Sequence, residues 1–394
     1  MKKKFACLAM AMVMVLSLAA CGGKKEDAPA AAPAESGSDS SVSVFKVGTI
    51  GPLSGDAAIY GQAVANGAKI AVDEINAAGG AIQFELQSQD DEADGEKSVN
   101  AYNTLMDWGM QVMVGPTTTG ASIAVSAQAN ADRTFMLTPS ASSVDVIDGK
   151  DNVFQVCFTD PNQGVASADY ISENMAGTKV AVIYRNDDAY SQGIRDTFVS
   201  EAADKGLEVV YEGTFTADTA TDFSVQLTGA QSAGADTVFL PIYYQPASVI
   251  LNQANAMGYE PTFFGVDGMD GILTMEGFDT SLAEGVMLLT PFSADAEDAR
   301  TQTFVKSYQD QFGETPNQFA ADAYDAVYIY AAALEAAGCT ADMSSADICE
   351  ALVGVMTTIS VDGLTGQGMT WDASGAVSKA PMAVIIENGT YVLP

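Results

Sequence analysis

The chain has 394 residues, enough for two domains with sizeable cores. Its 17 lysines and arginines against 51 acids leave a net charge of −34, which argues against nucleic acid or an anionic membrane surface as a partner. No histidine occurs, so Ser-His-Asp and Cys-His catalysis, histidine-ligated metals and histidine pH switching are excluded together.

Lys2, Lys3 and Lys4 precede an apolar run from Phe5 to Ala20, which ends Leu18-Ala19-Ala20-Cys21. The run is short for a membrane span and closes on small residues, so residues 1–20 read as a cleaved export signal. Leu-Ala-Ala-Cys before Gly22-Gly23 resembles a bacterial lipoprotein cleavage site. The resemblance implies lipidation of Cys21 and a mature protein anchored by lipid alone at the extracytoplasmic face of the cell membrane. Residues 21–43 are mostly Ala, Pro, Ser, Gly and acid, too polar and small to bury a core, and read as a disordered tether.

The folded part begins near Phe45 with the strand FKVGTI and the turn GPLSGD. A helix over about 60–77 follows, with Val64, Ala68, Ala71, Ile75 and Ala78 at helical spacing, and Gly79-Gly80 ends it. AIQFELQSQ is the next strand and 98–108 the next helix. Residues 110–114 form a strand that runs through GPTTTG into a helix over about 121–130. The strand at 134–137 leads to a second hydroxyl-rich turn, TPSAS. The alternation continues with a strand at 153–158, a helix from TDPNQG to about 175, a strand at 179–184 and a helix over 191–205. After a strand at 207–212 and a helix near 222–232 come a strand at 236–240, a helix over 247–257, and strands at 262–265 and 286–290. Helices over 296–312, 319–337 and 345–356 follow, the first with Phe304, Tyr308 and Phe312 as a core stripe. The last residues look like antiparallel hairpins. Repeated βα units with short connections predict an α/β fold of two doubly wound, parallel-sheet lobes.

Chemistry concentrates at the turns. GPTTTG and TPSAS are rich in hydroxyls and free of cations, and each lies where an open α/β sheet binds ligands. A small carboxylate held by neutral donors suits them better than a nucleotide. Asp267 sits between glycines in FGVDGMDG, remote in sequence from any Lys or Arg, and suits a ligand cation. Tyr60, Tyr190 and Tyr244 lie just beyond strand ends. In QDDEADGE the acids Asp90, Glu92 and Asp94 have calcium-loop spacing, but Ala101 occupies the twelfth position, where a bidentate glutamate is required, so the run reads as a strand end and helix N-cap. No phosphate-binding glycine motif and no G-x-S-x-G occurs, so no metal, cofactor or enzymatic activity is expected. Cys157 reads as a buried thiol. Cys339 and Cys349 flank a short loop in an exported chain and are expected to pair as a disulfide.

From Phe45 onward, KVGTIGPLSGDAAIYGQAVANGAKIAVDEINAAGG, VGPTTTGAS, TPSAS, YRNDDAYSQG, YYQPAS and FGVDGMDG resemble, in order and spacing, the type I periplasmic binding proteins of the branched-chain amino acid transport family. The resemblance implies a fold of two lobes joined by a hinge, 44–158 plus 291–363 and 159–290 plus 364–394. It implies capture of an amino acid by lobe closure and delivery to a separate ABC permease and ATPase, by a monomer. Thr119 matches the residue that binds the ligand carboxylate. Ser140 and Ser142, flanking Ala141, match the positions that hold the α-ammonium and α-carboxylate, and Asp267 matches the ammonium partner of the second lobe. Tyr60, Tyr190, Tyr244 and Phe319 match aromatics of the side-chain pocket. Thr117, Thr118 and Ser140 are more polar than their counterparts in leucine binders, which leaves room for a more polar ligand. A tethered sensor of the same fold, or a binder of a short amide or urea, is the alternative.

Overall fold

The protein is described here from a computed structural model, over residues 43–394. The signal segment, the tether and the lipidation expected at Cys21 lie outside the described residues.

The first sheet contains β1 (Ser43–Gly51), β2 (Ile82–Asp90), β3 (Val112–Val114), β4 (Phe135–Thr138) and β5 (Val153–Gln155). It is parallel throughout, in the order β2-β1-β3-β4-β5. A parallel sheet covered on both faces wants continuous apolar strands, and β3, β4 and β5 are wholly buried. Helices α1 (Ala58–Ala78), α2 (Gly95–Trp108) and α3 (Thr119–Asp132) make the crossovers. Gly79 ends α1 in the left-handed conformation (φ 70°), as its sequence predicts. Within the acidic run read as a helix cap, Asp94 caps α2 by accepting the Lys97 N–H.

The second sheet comprises β6 (Lys179–Arg185), β7 (Glu208–Phe215), β8 (Thr237–Leu240), β9 (Thr262–Gly265), β10 (Met287–Thr290), β11 (Met382–Glu387) and β12 (Thr390–Val392). Its order is β12-β11-β10-β9-β8-β6-β7; β6 to β10 are parallel and β11 and β12 add antiparallel. Helix α4 (Asp160–Asn174) leads into it from the first sheet, and α5 (Ala189–Lys205), α6 (Ser224–Ser232) and α7 (Tyr244–Met257) link its strands.

The chain then returns to the first lobe through α8 (Ala299–Phe312), α9 (Gln318–Ala337) and α10 (Ser345–Met356). Helix α9 lies against α1 so closely that a Cβ on Gly67 would stand 2.0 Å from the Ala320 carbonyl oxygen. Tyr330 fixes α9 to the sheet, its hydroxyl donating to the carbonyls of Met113 at 2.7 Å and Phe135 at 3.2 Å. Phe304 and Tyr308 are buried and Phe312 packs beside them, the stripe read from the sequence.

Three expectations are corrected. Strand β5 stops at Gln155, so Cys157 lies in a buried connection rather than in a strand. Of the stretch 364–394, expected in the second lobe, β11 and β12 do join the second sheet, but the part around Trp371–Gly375 lies on the first: Trp371 Nε1 donates to the Gln155 carbonyl at 2.8 Å, and Gln155 N–H donates to the Gly375 carbonyl at 2.9 Å. The Cys339–Cys349 disulfide is absent, because Cys157, Cys339 and Cys349 are all free thiols. Cys339 follows the end of α9, whereas Cys349 lies past the first turn of α10, on its buried face towards Asn152. Burial pushes the Cys349 thiol up to about 12, so it is inert as well as unpaired.

Candidate functional site

The strand ends carrying the expected residues converge in one cleft between the two sheets, in the place where open α/β sheets receive ligands. On the first lobe the two hydroxyl turns brace one another. Thr117 Oγ1 donates to the Ile50 carbonyl at 3.2 Å, and Ser140 Oγ donates to the Thr117 carbonyl at 2.6 Å. Thr138 Oγ1 donates to Pro116 at 3.0 Å and accepts the Ala141 N–H at 2.9 Å. The Thr117 and Ser140 hydroxyls thus spend their hydrogens on backbone carbonyls and face the cavity as acceptors only. The hydroxyls of Thr118 and Thr119 differ, being buried without any hydrogen-bond partner. Thr118 is also the N-cap of α3 and makes no capping bond, so the first N–H groups of that helix stay open beside two free hydroxyls. Such an arrangement of neutral donors at a helix start favours an anion.

The second lobe supplies the opposite charge. Asp267 opens a short 3-10 turn after β9 and is 3% exposed. Its Oδ1 accepts the Tyr190 hydroxyl at 2.6 Å, and its N–H donates to Gln163 Oε1 at 3.1 Å. The Tyr190 hydroxyl accepts the Gly268 N–H at 3.0 Å, so it pins the turn as well as the carboxylate. Burial raises the Asp267 carboxyl to about 7, against the pull of the Tyr190 and Gln163 hydrogen bonds. Asp160, the first residue of α4, is 1% exposed and neither of its oxygens has a partner. Burial pushes its carboxyl well above the usual range; the nearby Ser142 hydroxyl opposes the shift, and the Asp267 charge adds to it.

Tyr60 on α1 bridges the lobes. Its hydroxyl donates to the Gly268 carbonyl and accepts the Tyr244 N–H at 3.1 Å. Its ring packs against Tyr243, Tyr244 and Phe319 with centroids 5.4, 4.9 and 4.5 Å away.

Tyr60, Thr117, Thr118, Thr119, Ser140, Tyr190, Asp267 and Phe319 thus surround one small cavity of about 10 Å³, room for a single water, together with Tyr243 and Gly268. Three expected residues stand outside it. Ala141 is fully buried, its N–H taken by Thr138 and its carbonyl by Gln155 Nε2 at 2.8 Å. Ser142 lies deeper, beside Asp160. Tyr244 packs behind Tyr60, because α7 starts at Tyr244 and its N-cap, Tyr243, faces the cavity instead. Asp160, Gln163 and Tyr243 escape a reading of the sequence. The Thr159-Asp160-Pro161 run has the look of an ordinary helix start, and Thr159 does cap α4. A wider cleft of about 550 Å³ adjoins the cavity, shares Thr118 and Tyr243 with it, and is flanked by Asp56, Arg185 and Asp188.

Residues 44–390, nearly the whole described chain, match the family described as periplasmic binding protein. The chain belongs to the periplasmic binding protein family. This periplasmic binding protein is 32% identical over 315 residues to the Leu/Ile/Val-binding protein homolog 3 of Brucella melitensis, covering 78% of this chain and 82% of the relative. Its structure superimposes on the branched-chain amino acid substrate-binding protein LivJ of Streptococcus pneumoniae, solved with isoleucine, with a TM-score of 0.79 and 30% identity, covering 88% and 97% of the two chains. The leucine-binding protein LivK of Thermotoga maritima gives a TM-score of 0.79 at 26% identity, covering 89% and 97%. The two parallel-sheet lobes of this periplasmic binding protein are thus a fold shared with solute-binding proteins of ABC transporters.

Proposed function

We propose that this protein captures an α-amino acid with a branched-chain or similar aliphatic side chain between its lobes and delivers it to an ABC permease. One observation carries the reading: a single cavity sets unpartnered hydroxyls and the open start of α3 opposite the buried carboxylate of Asp267. Neutral donors on one wall and a carboxylate on the other complement an α-carboxylate and an α-ammonium. Tyr60, Tyr190, Tyr243 and Phe319 supply the apolar surface that an aliphatic side chain needs. The Leu/Ile/Val-binding name of the Brucella relative and the isoleucine in the LivJ complex support the same ligand class.

In this mechanism Thr118, Thr119 and the α3 N–H groups receive the carboxylate on the first lobe. Closure then brings Asp267 and the tyrosines of the second lobe over the ammonium and side chain, and Tyr60 ties the lobes together. A hinge closure of this kind excludes water and strengthens both charge contacts. The lobes are assigned as 44–158 with 291–378 and 159–290 with 379–394, the last crossing being moved by the contacts of Trp371 and Gly375 with β5. The Leu-Ala-Ala-Cys sequence supports lipidation of Cys21 and an extracytoplasmic, membrane-tethered location. The test is a thermal-shift screen of the twenty amino acids with their deaminated acids, followed by calorimetry. Leucine, isoleucine or valine should raise the melting temperature and their deaminated acids should not. A response confined to the deaminated acids, or to uncharged amides, would reject the amino-acid reading.

A further inference from the structure

The turn that presents Asp267 ends, three residues later, on a second buried carboxylate. Asp270 is 3% exposed and does not line the cavity. Its Oδ1 accepts the Gly271 N–H at 2.8 Å, and its Oδ2 accepts the Gln318 N–H at 3.0 Å. Gln318 is the first residue of α9, a helix anchored in the first lobe by Tyr330 and by its packing on α1. A carboxylate of the second lobe therefore caps a helix of the first. The cap that α9 carries in its own sequence, Asn317, accepts the Ala320 N–H at 3.2 Å and leaves the Gln318 N–H to Asp270. Two further features hold this junction. Gln318 Nε2 donates to the Asp267 carbonyl at 3.2 Å, and a Cβ on Gly271 would stand 2.7 Å from Ile59 Cγ2 on α1.

The geometry points to Asp270 as a positioning residue of the binding site, a latch through which docking of the α9 N-terminus fixes the turn that presents Asp267. The two ends of one short turn then report on different events. Asp267 meets the ligand, and Asp270 meets the opposite lobe. An open protein has no α9 start at Asp270, which leaves its Oδ2 without the Gln318 N–H and the turn less constrained. Closure supplies that donor and sets the Asp267 carboxylate at once, so ligand capture and closure share one free-energy term. A carboxylate at a helix N-terminus also gains from the helix dipole, which favours the docked arrangement.

The inference rests on Asp267 as the ligand contact, and the experiment keeps the two separable. The interlobe distance distribution is measured by pulsed electron paramagnetic resonance between spin labels on the two lobes, with and without L-leucine, alongside calorimetric affinity. Asp270→Ala should shift the distribution towards longer distances in both conditions and weaken L-leucine binding by about tenfold to a hundredfold, the effect of losing one hydrogen bond to a charged group. Gln318→Pro is the second variant. It deletes only the donor and the side chain, since proline is favoured at the first helical position and Asn317 (φ −96°, ψ 179°) already has the extended conformation that precedes proline. It should reproduce the shift, while Gln318→Ala, which keeps the N–H, should shift it much less. Unchanged distances in Asp270→Ala or Gln318→Pro overturn the latch. A wild type that ignores L-leucine but opens on loss of Asp270 rejects the ligand reading and supports the latch.

Discussion

Asp267→Asn removes one negative charge and almost nothing else. Asparagine Oδ1 can still accept the Tyr190 hydroxyl, and the backbone bond to Gln163 persists, so the turn keeps its shape. What is lost is the buried partner of a ligand ammonium, at a residue 3% exposed. Truncating one member of a buried, hydrogen-bonded charge pair typically costs about 2–5 kcal/mol, roughly thirtyfold to several thousandfold in affinity. The acid–base behaviour sharpens the expectation. With its carboxyl raised to about 7 by burial in the closed cleft, Asp267 is largely protonated below that pH whenever the lobes are closed without a ligand. A cationic ligand binds the ionised form, so wild-type affinity for L-leucine should fall, by up to about tenfold per pH unit, as pH drops below 7. It should level off above about pH 8, where Asp267 is fully ionised. Stability runs the other way. Between the ordinary carboxylate value of 3.8 and about 7 the folded protein holds a proton that the unfolded chain has lost. The closed, unliganded form therefore loses stability as pH rises through that window, and Asp267→Asn escapes this loss. Asp160→Asn, measured in parallel, separates the titration of its neighbour. Calorimetry with L-leucine and with 4-methylpentanoate, its deaminated acid, reads the outcome. Equal losses for both ligands in Asp267→Asn, or a wild-type leucine affinity that does not change between pH 5 and 8, would refute the assignment.

Four further outcomes are expected. Thr119→Ala should weaken amino acid binding by roughly tenfold, because its hydroxyl is unpartnered in the cleft while the α3 N–H groups remain. Thr117→Ala should leave affinity unchanged and lower the melting temperature, its hydroxyl being bound to Ile50. Lys379→Met should destabilise the protein by about 3–5 kcal/mol in urea titrations. It strands Asp322, which is 2.6 Å from the ammonium inside the protein, and adding Asp322→Leu should restore most of the loss. Cys21→Ser should move the exported protein from the membrane fraction to the soluble one; retention in the membrane would exclude lipid as the anchor.

Much of this molecule is legible in its sequence because its signals are local. Alternating βα units, the Gly79 stop after α1 and the core stripe Phe304–Tyr308–Phe312 each lie within one element and follow from period and capping. The hydroxyl turns and the Asp267 turn are legible for the same reason. What the sequence conceals is set by distant partners or by helix phase. Whether a threonine hydroxyl is free depends on backbone carbonyls elsewhere: Thr117 finds Ile50, 67 residues away, whereas Thr118 finds nothing. Tyr243 and Tyr244 are adjacent, and a three-residue difference in where α7 starts decides which of them faces the cavity. Asp160 passes for a cap residue until its lack of partners is visible. The ion pair of Lys379 with Asp322 spans 57 residues, so nothing local announces it.

The return of the chain to its first lobe has a consequence for how the protein can be made. The first sheet is complete in strands by Gln155, but the face that α9 covers, with Tyr330 bonded into β3 and β4, stays bare until residue 337 has been synthesised. The second sheet waits longer still for β11, which pairs with β10, and for β12, which pairs with β11. Neither half can bury its apolar surface while the nascent chain is short, so the usual sequence of an N-terminal domain folding first on the ribosome does not apply. A chain stalled near residue 290 would be a sticky, half-covered sheet, whereas the full-length chain can complete both halves nearly together. Excised lobes should accordingly be built as two joined segments each, since a simple cut after residue 158 strips the first lobe of α8, α9 and α10.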